Sequence, residues 1–429
     1  MRVGTAQLDI TPRPGIELVG FAVRPQPSTG VLDPLAVRAL YLEDGAERLL
    51  WLHADLLAFE EPFVADLRRQ VERDFGIPGS RVLVSATHTH SGPPTIHLTG
   101  CGAYDPAYVD WLEGRFLDVA GAALAAPEAC DLVAVEGTCD LTVDRRQFAS
   151  AHTDPRVAAV GWRRADGTFK AVLLNYGMHG VCLRGALISA DGPGVAAQVV
   201  SQSLPGQPLV LVCTGASGNT NPPAVGVSPE QVREWGRAVA ESVLPDLRAA
   251  PPTMSTRCPA SSADGLLRAD MIRVPLPLEN CTLAEIEAFV AQCRSDAAGF
   301  DEFGEKYRLA MDTWQGTMTT RVLRGEPPYT IAELAAIVLG PVVFVAVNAE
   351  IFSRFSELVG TDPRRPLYAI GCMGEMIGYL APAAAYEEGG YEVRWAMLFY
   401  NRPCPKSGGL ELLAAEARRL VARLGFAQR

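Results

Sequence analysis

Residues Val82 to Pro93 read VLVSATHTHSGP, an apolar β-branched run that stops at two histidines and then at Ser91, Gly92 and Pro93. Such a run has the composition of a short buried strand, and the residues after it turn the chain out of the sheet. The motif points to an α/β architecture that delivers His88 and His90 to the carboxyl end of a strand, where open α/β sheets hold their ligands. Side chains two apart on an extended chain face the same way, so both imidazoles are expected to aim into one space. By itself the pair fits hydrogen-bonded loop histidines as well as a metal or catalytic pair.

The same pattern recurs downstream. FKAVLLNYGMHG is a buried strand ending beside His179, and PVVFVAVNAE ends at Glu350. PLVLVCTG runs into Gly215-Ala216-Ser217-Gly218-Asn219-Thr220-Asn221-Pro222. Small residues there let a ligand approach the backbone, and no Gly-Lys-Ser/Thr closes a phosphate loop. These strand ends raise the expectation of a metal site well above what one pair of histidines supports.

Between them, Phe63, Val64, Leu67, Val71 and Phe75 recur at helical spacing over 62–75, and a second helix is expected over 107–126. Two runs around Asp44-Gly45 read as a hairpin. His53 reads as a packed, hydrogen-bonded histidine, and His97 and Cys101 as loop residues. Strands are expected through 131–175, a helix over 229–247, a connector over 250–264, mostly helix over 283–340, an amphipathic strand at 393–399 and a final helix from Gly409. The fold class is therefore α/β, a mixed β-sheet core flanked by helices.

Composition excludes several roles. The 429 residues are 48% hydrophobic with net charge −11 and no Lys/Arg block, which argues against nucleic acid or an anionic membrane as partner. No apolar run reaches the roughly 20 residues of a transmembrane segment. The N-terminus has no apolar signal core, so a cytoplasmic location is expected. Ten cysteines without a CxxC read as reduced, packed thiols. Oligomeric state is not legible.

Taken together, VGTAQLDITP, HTHSGP, NYGMHG, SADGPG, the glycine-asparagine loop, AVNAE and GYLAPAAAYEEGGYE resemble the catalytic domain of the neutral ceramidase family. The pairing of HTHSGP with GYxxPxxxYxxGGYE is specific, and the resemblance spans nearly the whole chain. It implies one ceramidase-like catalytic domain over 1–429, without the C-terminal sandwich domain of animal and secreted bacterial ceramidases. It also implies a Zn2+ ion held by His88, His179, Glu350 and Tyr379. His90 matches the family's proton-transfer histidine, and Arg145 its arginine for an oxyanion or a substrate carboxylate. Ser91, Gly92, Asn219 and Asn221 fall at substrate-binding positions.

Two positions depart from the pattern. Ala349 stands where the family has glycine, and Asn221 where ceramidases carry a serine implicated in activity. These departures point away from a serine nucleophile and from ceramide itself. The implied activity is zinc-dependent hydrolysis of a linear carbon-nitrogen amide bond in a small N-acyl amide by metal-activated water. The alternatives are metal-dependent acyl transfer or cyclisation in a biosynthetic pathway, and a ceramidase-like binding protein without turnover.

Overall fold

The β-branched runs form the strands of three mixed sheets in a computed structural model that describes residues 1–22, 24, 26–251, 265–296, 304–360 and 365–425. Most of the expected 250–264 connector lies outside the described residues. The first sheet has the order Val82–Ala86, Glu47–Ala54, Ala36–Asp44, Arg2–Asp9, Glu128–Ala129. The second runs Leu209–Thr214, Phe169–Tyr176, Arg156–Arg163, Asp131–Thr138. The third runs Leu267–Pro277, Tyr329–Leu339, Val342–Val347, Leu367–Ile370.

Each sheet contains a parallel pair: Glu47–Ala54 with Val82–Ala86, Phe169–Tyr176 with Leu209–Thr214, and Val342–Val347 with Leu367–Ile370. Parallel neighbours need a crossover, usually helical. The crossovers carry the helices Glu61–Phe75, Asp191–Ser203 and Phe355–Val359. The first helix begins with proline in its opening turn and stops at Gly76, whose φ of 65° is left-handed. It buries Phe63, Val64, Leu67 and Val71. Side chains from all three sheets, among them Trp51, Trp162 and Phe344, share one buried cluster. Burying side chains of this size is worth about 2–3 kcal/mol each, so the sheets are held together by substantial apolar contact.

The carboxyl ends of the parallel strands are stitched to one another. Gly371 N–H donates to Thr214 O at 3.0 Å, Gly374 N–H to Val84 O at 2.6 Å, and His90 N–H to Gly180 O at 2.9 Å. Residues far apart in sequence are thereby brought to one place. The observed fold is the expected α/β class, mixed sheets flanked by helices.

Some elements differ from the sequence reading. Tyr329–Leu339 is a strand and not part of a helical 283–340 region; it pairs on both sides, which suits its β-branched and apolar composition. The expected strand at 393–399 is instead a π-helical turn, Tyr391–Trp395, continuing into the α-helix Ala396–Tyr400. The 229–247 helix breaks after Glu241 and resumes at Leu244. His53 is buried with Nδ1 2.9 Å from Ser85 Oγ, as its packed reading requires. Among the described residues, no helix is long and apolar enough to cross a membrane.

Candidate metal centre

The strand Val82–Ala86 ends before the histidines, and His88 has φ of 59°. The left-handed region is unusual for a non-glycine residue and costs conformational energy, which marks a site where the surroundings enforce the geometry. His88 and His90 do converge, but a turn rather than strand alternation aims them. Both meet His179, which follows the strand Phe169–Tyr176. His88 Nε2 lies 3.1 Å and His90 Nε2 3.0 Å from His179 Nε2.

The other nitrogen of each ring faces a backbone carbonyl. His88 Nδ1 is 2.9 Å from Leu57 O, His90 Nδ1 3.1 Å from Gly20 O, and His179 Nδ1 3.3 Å from Ser217 O. A carbonyl only accepts, so these contacts assign the hydrogen to each Nδ1 and turn each Nε2 inward. Anchoring the distal nitrogen in this way is how metal-binding histidines are oriented. Gly20 is required for the close approach: a β-carbon there would collide with the His90 ring.

Glu350 completes the group. Its Oε2 is buried, has no hydrogen-bond partner, and stands 3.4 Å from His88 Nε2 and 3.6 Å from His179 Nε2. A buried carboxylate oxygen without a hydrogen-bond donor is costly unless a positive charge stands beside it, either a proton on His88 or a cation. Gly218 lets the asparagine loop pack onto Glu350, whose carbonyl oxygen a β-carbon at that position would approach to 2.6 Å.

The electrostatics favour one positive charge here. Burial opposes charging all three rings, yet at His88 the neighbouring Cys372 and Glu350 outweigh it and hold the pKa well above the ordinary range. At His90 and His179 burial and the charge on His88 both keep the ring neutral. Burial raises the Glu350 pKa, but His88 and the tyrosines overcome it and the carboxylate is favoured. Atoms about 2.0–2.1 Å from a zinc ion at tetrahedral angles lie roughly 3.3 Å apart, close to the spacings seen here. His88, His90 and His179 form a group with metal-ligand spacing, and Glu350 Oε2 lies within 3.6 Å of two of them.

The remaining sequence candidates take different positions. Tyr379 pairs with Glu350 in a short parallel bridge, and its hydroxyl accepts from Arg145 Nη2 at 3.1 Å. Burial, then Glu350, keeps that hydroxyl protonated. Arg145 also donates to Glu392 Oε1 at 2.8 Å, Asn221 Oδ1 at 3.1 Å and Gly218 O at 2.7 Å. Asn219 uses both ends of its amide internally: Nδ2 donates to Asp144 at 2.7 Å and to His152 O at 2.9 Å, while Oδ1 accepts from Ser353 N–H at 2.8 Å. Ser91 is fully buried and accepts from Ser189 N–H at 3.0 Å through its carbonyl. The carbonyl of Gly92 accepts from Val19 N–H at 3.0 Å.

Three neighbours were not singled out from sequence. The Tyr400 hydroxyl donates to Glu350 Oε1, Glu392 anchors Arg145, and the Cys372 thiol borders His88. Cys372 follows the strand Leu367–Ile370, so the strand-end pattern was available as its signal. Beside the histidines lies an apolar cavity of about 360 Å³, lined by Gly20, Phe21, Tyr391, Trp395 and Phe399 among others. Cys101 lines it as well, so this loop residue faces a cavity.

No protein-family model matches the sequence, and no curated protein matches it. Among solved structures, the chain is similar to the neutral ceramidase from Pseudomonas aeruginosa, with a TM-score of 0.72 and 15% identity over 100% of this chain and 75% of that one. It is equally similar to a ceramidase complexed with C2, with a TM-score of 0.72 and 15% identity over 100% of this chain and 76% of that one. At this identity the likeness concerns the fold, and over its whole length the chain has a ceramidase-like fold.

Proposed function

We propose that this protein is a zinc-dependent hydrolase of small N-acyl amides. The observation that carries the reading is Glu350 Oε2, buried without a hydrogen-bond partner among imidazole nitrogens whose rings are fixed through Nδ1. A cation satisfies that arrangement, and a mixed imidazole and carboxylate set suits zinc. We assign His88, His179, Glu350 and Tyr379 as the holding groups. When bound, zinc supplies a Lewis acid that lowers the pKa of water and polarises a carbonyl.

His90 takes the proton-transfer role. It is the partly exposed ring of the three, its centroid lies 5.2 Å from that of Phe21 in the cavity wall, and burial and the charge on His88 keep it neutral, with a lone pair on Nε2. From there it passes the proton to the leaving amine, which must depart protonated. Arg145 is a fixed positive charge beside the Tyr379 hydroxyl and stabilises negative charge growing on the carbonyl oxygen. Asn221, bonded to Arg145, is the amide of the loop closest to that charge, whereas Asn219 and Ser91 hold the loops in place.

The test is a panel of N-acyl amides of graded chain length, with acid and amine release both followed. Release that stops with a chelator and returns with zinc is expected. Zinc-replete, folded protein that cleaves none of the panel would overturn the hydrolase reading.

A further inference from the structure

The cavity beside His90 has a charged entrance that the hydrolase reading does not use. Arg184 is the one charged residue among those lining the apolar cavity; it is exposed, and its guanidinium lies over the Phe21 ring at 5.9 Å. Phe21 also lines a smaller polar chamber of about 140 Å³, together with Arg24, Lys306 and Glu17 among others. Arg24 also sits over Phe21, at 5.2 Å, and donates through Nη2 to His90 O at 2.8 Å. Its Nε and Nη1 are buried without an acceptor.

Among the described residues, the charges lining the two chambers are not internally balanced. Among the described residues, Arg24, Arg184 and Lys306 have no carboxylate within 4 Å, and the nearby Glu17 accepts from Ala103 N–H at 2.8 Å. Burial pushes the Arg24 pKa down to about 10, as expected of a cation with no counter-ion. In a chain with 49 acidic and 38 basic side chains, the described residues of these two chambers carry three cations without a carboxylate partner and one acid, against the overall balance. Arg145 cannot offer a carboxylate paired hydrogen bonds, because its Nε, Nη1 and Nη2 already bond Glu392, Asn221, Gly218 and Tyr379, which leaves only its charge to act.

We propose that the ligand of this site is an amide bearing a carboxylate, an N-acyl amino acid rather than an N-acyl amino alcohol, with its apolar part in the 360 Å³ cavity and its carboxylate held by Arg184, Arg24 and Lys306. This rests on the hydrolase reading for the identity of the bond cleaved, and on the two chambers for the charge of the ligand. Guanidinium groups recognise carboxylates through paired, charge-assisted hydrogen bonds, which an alcohol cannot reproduce. Phe21 lines both chambers and has Arg24 and Arg184 over its ring, which places the carboxylate at their junction.

The experiment compares binding of N-octanoylglycine and N-octanoylethanolamine by calorimetry on the full chain, treated with a chelator so that turnover does not intervene. The two probes share an acyl chain and differ in the anionic group. The glycine conjugate is expected to bind about tenfold tighter, with the difference shrinking in high salt. Arg184→Gln and Lys306→Gln, both changes to solvent-reaching side chains, are expected to remove most of that preference. Equal affinities, no binding of either probe, or a preference that survives the combined variant would each overturn the proposal. Preferential binding of the glycine conjugate by zinc-replete protein that cleaves neither compound would leave this proposal standing and remove the hydrolase reading.

Discussion

His88 and His179 face each other through their Nε2 atoms at 3.1 Å, while the Nδ1 atoms of both are fixed on backbone carbonyls. One ring comes from the turn after Val82–Ala86 and the other from the end of Phe169–Tyr176, so the contact joins two sheets. Two neutral rings held this way repel through their lone pairs, and either a proton or a cation between them relieves it. Metal binding is therefore expected to displace the proton on His88, and zinc affinity should rise with pH through the ordinary histidine range and above it, where that proton is still held. Potentiometric titration of metal-free protein with zinc checks this; uptake without proton release would contradict it.

Tyr400 donates to Glu350 Oε1 and thereby leaves Oε2 as the oxygen that faces the histidines. Tyr400→Phe removes a donor to a buried carboxylate and should lower zinc affinity by about 10–100-fold, with a stability loss of about 1–3 kcal/mol in the metal-free protein. Competition with a chromogenic chelator measures the first, and urea unfolding the second. Unchanged zinc affinity would show that Tyr400 does not orient the carboxylate.

Arg145 makes its contacts through Nε, Nη1 and Nη2 at once. A lysine keeps the charge but not the fork, so Arg145→Lys should lower kcat by about 10²-fold or more on any amide the protein cleaves, with a smaller change in KM. Steady-state kinetics separates the two constants. A change confined to KM would assign Arg145 to ground-state binding instead.

His53 bears on the acid limb of stability. Burial, reinforced by Arg38, pushes its pKa down to about 3 from 6.5. The unfolded chain then binds a proton near pH 6.5 that the folded chain refuses until about pH 3. The contribution is fully present above 6.5 and falls by roughly 1.4 kcal/mol per pH unit below it. Asp33 acts oppositely: burial raises its pKa from 3.8 to about 6, so its neutral form adds stability as pH falls between those values. The two slopes offset each other in wild-type protein. Unfolding free energies of His53→Gln measured at pH 7 and pH 5 should therefore show stability rising relative to wild type on acidification, and parallel profiles would refute this account of His53.

The parts of the site that were legible in the sequence are those in which a buried strand ends at a ligand-type residue. His88, His90, His179 and Glu350 all lie within four residues of such an end, and strand composition is a local signal. For His88 and His90 side-chain alternation predicts convergence, but the left-handed backbone at His88 produces it, and a positive φ leaves no mark in a histidine's identity. Tyr400 was not legible because it lies just past 393–399, which reads as an amphipathic strand, and periodicity does not separate a short strand from a buried helix; Glu392 stands in GYLAPAAAYEEGGYE, but no local pattern gives it a partner. The π-helical turn there carries Glu392 toward Arg145. The same ambiguity joins the apolar run Tyr329–Leu339 to the helices before it. The binding of Arg145 to the asparagine loop depends on the short bridge between Val143–Asp144 and Thr220–Asn221, a contact between segments 76 residues apart that no local pattern announces.

The most direct measurement is metal content of the protein purified without added metal, by elemental analysis, beside Glu350→Gln and His179→Ala. About one zinc per wild-type chain is expected, with loss in both variants while their near-ultraviolet circular dichroism stays native. Folded wild-type protein that holds no stoichiometric metal, and takes none up from zinc-containing buffer, would contradict the metal centre on which the proposed function depends.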